Sequence, residues 1–242
     1  MIGTPAASPE ARYRILVVIP AYCEEKRIGA VVSAVRERFR YDVLVVNDGS
    51  PDRTSAAARG AGATVLDLPC NLGIGGAVQT GFLFARDRGY DAVVRLDGDG
   101  QHDPDDIPRL LNPVLRGEAD AVIGSRFLGE TKYRGSIPRI FGIGFFRALV
   151  NLLTGFRVTD PTSGFFAINR RLIAFYASHY PSDYPEVDAY ILMHRLKARA
   201  VEVPARMFER REGKSSITPF RAVYYMVKVT LSFLINCIRR VG

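Results

Sequence analysis

The chain has 242 residues, 48% of them hydrophobic and 24% charged, with a formal net charge of +8. Such apolar content supports a substantial core and excludes a disordered chain, and the length allows one large domain or a domain with an appendage. The basic excess suggests an anionic partner such as a nucleotide or an acidic membrane surface; nucleic acid is disfavoured, because no recognised nucleic-acid motif is present.

Residues 1–14 are polar and Pro/Ala-rich without an apolar core, and read as a flexible N-terminus that is not a signal peptide. Ile15–Ile19 is a continuous β-branched run ended by Pro20, as expected of a strand buried on both faces of a parallel sheet. Ile28, Val31, Val32, Val35 and Phe39 keep helical spacing. Asp42–Val46 reads as a second strand running into Asn47-Asp48-Gly49-Ser50, and Thr54–Arg59 as a helix. Thr64–Leu66 is a short third strand, and Asn71-Leu72-Gly73 opens a helix to about Asp87. Ala92-Val93-Val94 leads into Arg95-Leu96-Asp97-Gly98-Asp99-Gly100-Gln101-His102. This rhythm is a βαβ pattern, whose ligands bind outside the carboxyl ends of the strands.

Asp97 and Asp99 are one residue apart at such a strand end, so in extended chain both carboxylates face one ligand. Adjacent carboxylates repel unless a cation lies between them, and a hard divalent ion such as Mg²⁺ or Mn²⁺ takes oxygen ligands and shares them with phosphates. A plain Asp-Gly turn is the competing reading. Three polar loops at successive strand ends, Tyr22–Glu24, Asn47–Ser50 and Asp97–Asp99, favour the ion. Gly73-Ile74-Gly75-Gly76 is not a dinucleotide fingerprint, because it follows the third strand and Val78 stands at the sixth position. It is instead either a helix start open to an anion or a site of close helix–sheet packing.

Further on, Ala119–Gly124 reads as a strand leading to Ser125-Arg126-Phe127, and Thr131–Pro138 as a polar loop expected to be mobile. Ile140–Leu153 is strongly apolar and reads as a core helix or one lying at a membrane interface. Asp160–Phe166 is a polar turn before an apolar stretch; Asp183, Glu186 and Asp188 precede a helix over Ala189–Lys197; Val201–Pro204 is a late strand. The basic segment Arg206–Lys214, with Arg210, Arg211 and Lys214 near Gly213 and Ser215-Ser216, reads as a diphosphate clamp or a solvated loop. Phe220–Ile238 is almost wholly apolar, but Lys228 is costly inside a bilayer. It reads as a long amphipathic helix at a membrane surface or on a partner. Cys23, Cys70 and Cys237 are widely spaced, form no metal-type pair, and point to a reducing compartment.

Taken together, Pro20–Glu25, Asn47–Ser50, Asn71–Gly73, Asp97–His102, Gly124–Phe127 and Thr162–Phe165 resemble family 2 glycosyltransferases of the GT-A fold, in particular the dolichyl/polyprenyl-phosphate sugar transferase branch. The resemblance spans about Ile15 to Ile217. It implies an α/β GT-A fold, Rossmann-like with a mostly parallel central sheet flanked by helices, followed by a C-terminal amphipathic helix. The corresponding domain limits are 15–218 for the transferase and 219–242 for the tail. It also implies a nucleotide diphosphate sugar donor, Mg²⁺ or Mn²⁺, and inversion at the anomeric carbon. By the same resemblance Pro20, Tyr22 and Glu24 hold the nucleoside, with Val46 and Asp48 beside the base. Asp97 and Gly98 lie at the ribose side, and Asp97, Asp99 and Gln101 bind the metal. Arg126, Arg210 and Lys214 face phosphate. Asp160, then Asp188, is the expected base for a hydroxyl acceptor; a phosphate acceptor has no proton to lose, and the carboxylate then positions it. The acceptor is expected to be a polyprenyl phosphate or lipid-linked glycan at the cytoplasmic membrane face, with a soluble or cell-wall glycan, or a non-catalytic binding role, as alternatives. The tail would meet the membrane surface or a small membrane partner, and a homo-oligomer is compatible with the sequence. Cys23 stands where the family commonly has asparagine, Asn47 where it has a first aspartate, and Ser215-Ser216 where mannose transferases have Ser-Lys.

Overall fold

The computed structural model describes residues 12–129, 137–182 and 185–208, with Lys228, Thr230 and Leu231. Most of the expected 131–138 loop, the basic residues Arg210 and Lys214, and nearly all of the expected tail helix lie outside them. Strands β1 (Ile15–Ala21), β2 (Asp42–Asn47), β3 (Thr64–Asp67), β4 (Ala92–Arg95), β5 (Ala121–Ser125), β6 (Phe166–Asn169) and β7 (Ala200–Pro204) form one sheet in the order β3-β2-β1-β4-β6-β5-β7. All neighbours are parallel except β6, which runs against both β4 and β5.

The helices are α1 (Ile28–Arg38), α2 (Thr54–Gly60), α3 (Gly73–Asp87), α4 (Ile107–Leu115), α5 (Ile137–Thr154), α6 (Arg170–His179) and α7 (Pro185–Arg195). The uninterrupted apolar reading of β1 has a direct cause. Ile15, Val17 and Ile19 pack beneath α1, α2 and α4, while Leu16 and Val18 pack against α3 and α6. A strand buried on both faces has no use for polar alternation. Gly81 lets α3 settle on β1, since a Cβ there would stand 2.4 Å from Val18 Cγ1.

The helical reading of the later chain needs correction at its ends. α7 starts at Pro185 rather than Ala189, so Glu186 and Asp188 belong to its first turn. Strand β6 and helices α4 and α6 went unassigned in the sequence. α4 carries Pro108 at its start and Pro113 inside it, which obscures the helical signal. α5 is a core helix on one side, burying Ile143, Phe146 and Val150, and bares Phe141 (68% exposed) and Leu152 (81%) on the other. Among the described residues no helix is long and apolar enough to cross a membrane.

Chain order reverses between β1 and β4: β2 and β3 lie to one side of β1 and β4 to the other. A sheet of this kind opens a crevice at the carboxyl ends of the two strands where the order switches. β6 enters the sheet from that same rim because it is reversed, so the turn preceding it borders the crevice.

Candidate active site

The rim begins with β1. Pro20 is buried and pairs with Val46, and its carbonyl stands 3.2 Å from where a Cβ on Gly98 would lie. A side chain there would have to push the β1 backbone aside by a few tenths of an ångström. Tyr22 is 49% exposed at the rim. Glu24 is half-buried, its backbone N–H donating to Thr54 Oγ1 (2.8 Å) and its carboxylate accepting from Arg27 Nη1 (2.8 Å). Val46, expected beside the base, has its side chain wholly buried in the core with Leu44 and Val18, because β2 is covered on both faces.

Asp48 is buried after β2, and its Oδ1 accepts from the Leu72 backbone N–H at 2.7 Å. This bond joins the second loop to the start of α3. Gly49 has φ 66°, and a Cβ on it would meet the Cys70 backbone at 2.8 Å. Asn47 has a structural task, its Nδ2 donating to Asp67 Oδ1 (2.8 Å) across β2 and β3. That bond and Arg59 hold the Asp67 carboxyl down at about 2. The Gly73–Gly76 segment resolves as close packing, but against a loop: a Cβ on Gly75 would stand 2.3 Å from the carbonyls of Pro181 and Ser182.

At the end of β4 the acidic loop turns back on itself. Asp99 Oδ1 accepts the Gln101 backbone N–H (3.1 Å). Gln101 Nε2 donates to the Phe208 carbonyl (3.3 Å), which directs the amide oxygen away from that contact. The Phe208 N–H returns a bond to the Gln101 carbonyl (2.8 Å), and His102 bridges to Met207. Arg206 fastens the same strap, with its backbone N–H on Asp106 Oδ2 (2.7 Å) and its guanidinium on Asp103 (3.1 Å). The chain leaving β7 therefore runs along the acidic loop.

His102 is buried and stacked on Phe165, ring centroids 4.8 Å apart. Burial pushes its pKa down against the pull of Asp97 and Asp99. Its Nδ1 accepts the Asp97 backbone N–H (3.2 Å), which places the proton on Nε2. Arg95 and Arg126 act on the same ring, so both carboxylates and both cations lie within electrostatic reach of it.

Asp97 is one-third exposed, with Oδ1 accepting from Arg95 Nη2 at 3.1 Å. Burial opposes its charge, but the positive groups around it, Arg95 foremost, together outweigh that and hold the carboxyl below its ordinary range. Sequence reasoning gave Arg95 no role. It is buried, and its Nη1 donates to Glu186 Oε1 on α7 (2.7 Å), 91 residues away. A charged residue closing the otherwise apolar strand Ala-Val-Val-Arg was the available signal.

Across the crevice, β5 delivers Arg126. It is buried and makes a closed pair with Asp160: Nε to Oδ2 at 2.6 Å, Nη2 to Oδ1 at 2.5 Å, and the backbone N–H to Oδ2 at 3.1 Å. Thr162 Oγ1 takes a further bond from Nη2 (2.7 Å), and the Asp160 N–H donates to Glu202 Oε1 (2.9 Å). Asp160 has no exposed surface, and both its oxygens are engaged by Arg126. A general base must reach the acceptor proton, and this carboxylate instead holds an arginine. Asp188 is also buried, on α7.

A divalent ion fits the oxygen-only donors of the loop. Asp97 Oδ2 makes no hydrogen bond with the described residues, His102 Nε2 standing 3.9 Å away, Asp99 is half-exposed, and the Gln101 amide oxygen is turned from its Phe208 contact. Among the described residues no three His, Cys, Asp or Glu side chains cluster as a metal site. The set thus suits an ion that completes its shell with ligand phosphates and water.

The family model described as glycosyl transferase family 2 matches residues 16–176. An undecaprenyl-phosphate mannosyltransferase of Micrococcus luteus is 34% identical, over 85% of this chain and 88% of its own. A polyprenol monophosphomannose synthase of Mycolicibacterium smegmatis is 31% identical, over 94% and 89%. Among solved structures, glucosyl-3-phosphoglycerate synthase of Mycobacterium tuberculosis in complex with Mn²⁺ and UDP-glucose superposes with a TM-score of 0.69 at 25% identity, covering 97% of this chain and 82% of that one. The seven-stranded sheet, the acidic loop at its switch point and these matches agree: the chain belongs to glycosyl transferase family 2, as a glycosyltransferase of GT-A fold on the polyprenyl-phosphate sugar transferase branch.

Proposed function

We propose that this enzyme transfers a sugar, with inversion, from a nucleotide diphosphate sugar to a polyprenyl phosphate at the cytoplasmic face of a membrane, with Mg²⁺ or Mn²⁺ as cofactor. The carrying observation is the pairing of Asp97 and Asp99 at the β1/β4 switch point with the Arg126–Asp160 pair across the crevice. Pro20, Tyr22, Glu24 and Asp48 line the nucleoside side. Asp97, Asp99 and Gln101 would hold the metal, which supplies positive charge for the leaving diphosphate. Arg210 and Lys214 are assigned to phosphate on the family resemblance alone.

An inverting transfer to a hydroxyl needs a base to remove a proton, whereas a phosphate monoester is already an anion. Asp160, enclosed by Arg126, fits the second case: both its oxygens are occupied, so it is not free to take a proton, and the pair instead stiffens the wall of the crevice. The bare face of α5, with Phe141, Phe145 and Leu152 exposed, supports placement against lipid, together with the expected tail helix. A soluble phosphorylated acceptor is the second reading, favoured by the fold shared with glucosyl-3-phosphoglycerate synthase.

The test is a screen of UDP- and GDP-sugars with Mn²⁺ or Mg²⁺, using undecaprenyl phosphate in detergent or 3-phosphoglycerate as acceptor. Transfer to the lipid phosphate is expected; transfer to the soluble acceptor alone selects the second reading. Asp99→Ala should lower turnover by at least about 100-fold. Unchanged turnover would sink the metal assignment.

A further inference from the structure

Among the described residues, the buried cation that touches the acidic loop directly is Arg95, and its setting is not that of a stabilising core residue. Its Nε meets no well-formed hydrogen bond among the described residues, and the Tyr180 hydroxyl lies beside the same guanidinium and interacts with it. Buried ion pairs are commonly no more stabilising than apolar side chains of similar size. The arrangement does, however, fix geometry. One arm of Arg95 holds Asp97 Oδ1 and the other holds Glu186 Oε1, while the guanidinium carbon lies 5.7 Å from the centre of the Phe166 ring. Gly164 closes the space: a Cβ there would stand 2.7 Å from Asp97 Oδ2 and 3.0 Å from Arg95 Nη2. The carboxylate is thus held at one oxygen and confined beside the other.

We infer that Arg95 is a positioning residue for donor binding: it presents Asp97 to the divalent ion through Oδ2 alone and, through Glu186, ties that carboxylate to the first turn of α7. The inference rests on the metal-dependent reading above and extends it to residues that touch neither donor nor ion. Groups that orient a metal-binding carboxylate typically alter metal affinity by about 10–100-fold when removed. A plain structural residue would change stability and leave the affinity of the folded protein alone.

The experiment is Mn²⁺ binding, followed by the electron paramagnetic resonance signal of free Mn²⁺, with UDP and with GDP, on the full chain. Arg95→Met should weaken nucleotide-dependent Mn²⁺ binding by about 10–100-fold, and Arg95→Lys, whose ammonium cannot reach both carboxylates as a fork, by an intermediate factor. Glu186→Gln keeps the shape of α7 and leaves Arg95 its bond to Asp97, so it should fold with a smaller loss of melting temperature than Arg95→Met and weaken binding by about tenfold, the lower end of that range. It also keeps the question answerable if Arg95→Met does not fold. Wild-type affinity in both Glu186→Gln and Arg95→Lys overturns the inference and leaves the metal reading intact. Failure of the wild type to take up Mn²⁺ with either nucleotide overturns both.

Discussion

Two buried arginines stand in the crevice and are used in opposite ways. Arg126 is enclosed: Asp160 accepts two side-chain bonds and the backbone N–H, Thr162 Oγ1 accepts a third side-chain bond, and neither Arg126 nor Asp160 has appreciable exposed surface. Arg95 is divided between two partners, and one of them, Asp97, remains a third exposed at the ligand crevice. The first arrangement makes a rigid wall; the second orients a carboxylate while leaving it available. Equal charges with equal burial thus serve different ends, according to how many oxygens each arginine occupies.

The comparison breaks most visibly in stability. Asp160→Asn leaves Arg126 buried without its counter-charge and should cost about 3–5 kcal/mol in urea unfolding. Asp97→Asn should cost no more than about 2 kcal/mol, because the site is partly hydrated and Arg95 keeps Glu186. Equal losses would show that the two pairs are equivalent. Next in size is Gly164→Ala, whose methyl group would press on Asp97 and Arg95. It should cost about 1–3 kcal/mol and weaken donor binding, measured by calorimetry with UDP or GDP and Mn²⁺. The smallest effect is at acid pH. The folded state holds Asp97 below its ordinary value of 3.8, so its stabilising contribution is full above that pH and is lost as pH falls through the lower folded value. The stability gap between wild type and Asp97→Asn should therefore shrink below pH 3.8. A gap that widened there would reverse the assigned direction.

Sequence reading reached the two sides of the crevice unequally. The half from β1 to β4 was legible because β1, β2 and β4 are short apolar runs buried on both faces and the loops carry chemistry within a few residues of the strand ends. Asp97, Asp99 and Gln101 come together through local spacing alone. The other half depends on pairing over distance. Phe166–Asn169 is only four residues long, and its reversed direction has no local mark. Arg126 and Asp160 could each be singled out, but not their mutual closure. Arg95 was hidden for the same reason, since Glu186, the partner that neutralises it, is brought in by α7. Val46 was taken from a family position, and its side chain lies in the core because β2 is covered on both faces.

The reversed β6 has a further consequence for how such an enzyme can change. The chain leaves the rim at Gly124–Arg126 and comes back at Thr159–Phe165, and the two feet are stitched together. The Gly124 N–H bonds the Phe165 carbonyl (2.8 Å), Ser163 Oγ bonds the Gly124 carbonyl (2.6 Å), and Ser125 Oγ meets Thr159 Oγ1 (2.6 Å). Everything between, α5 included, is an excursion with clamped ends. Such a cassette can be lengthened or exchanged without moving a strand of the sheet or the acidic loop, so a new acceptor surface can be grafted while the donor half stays as it is.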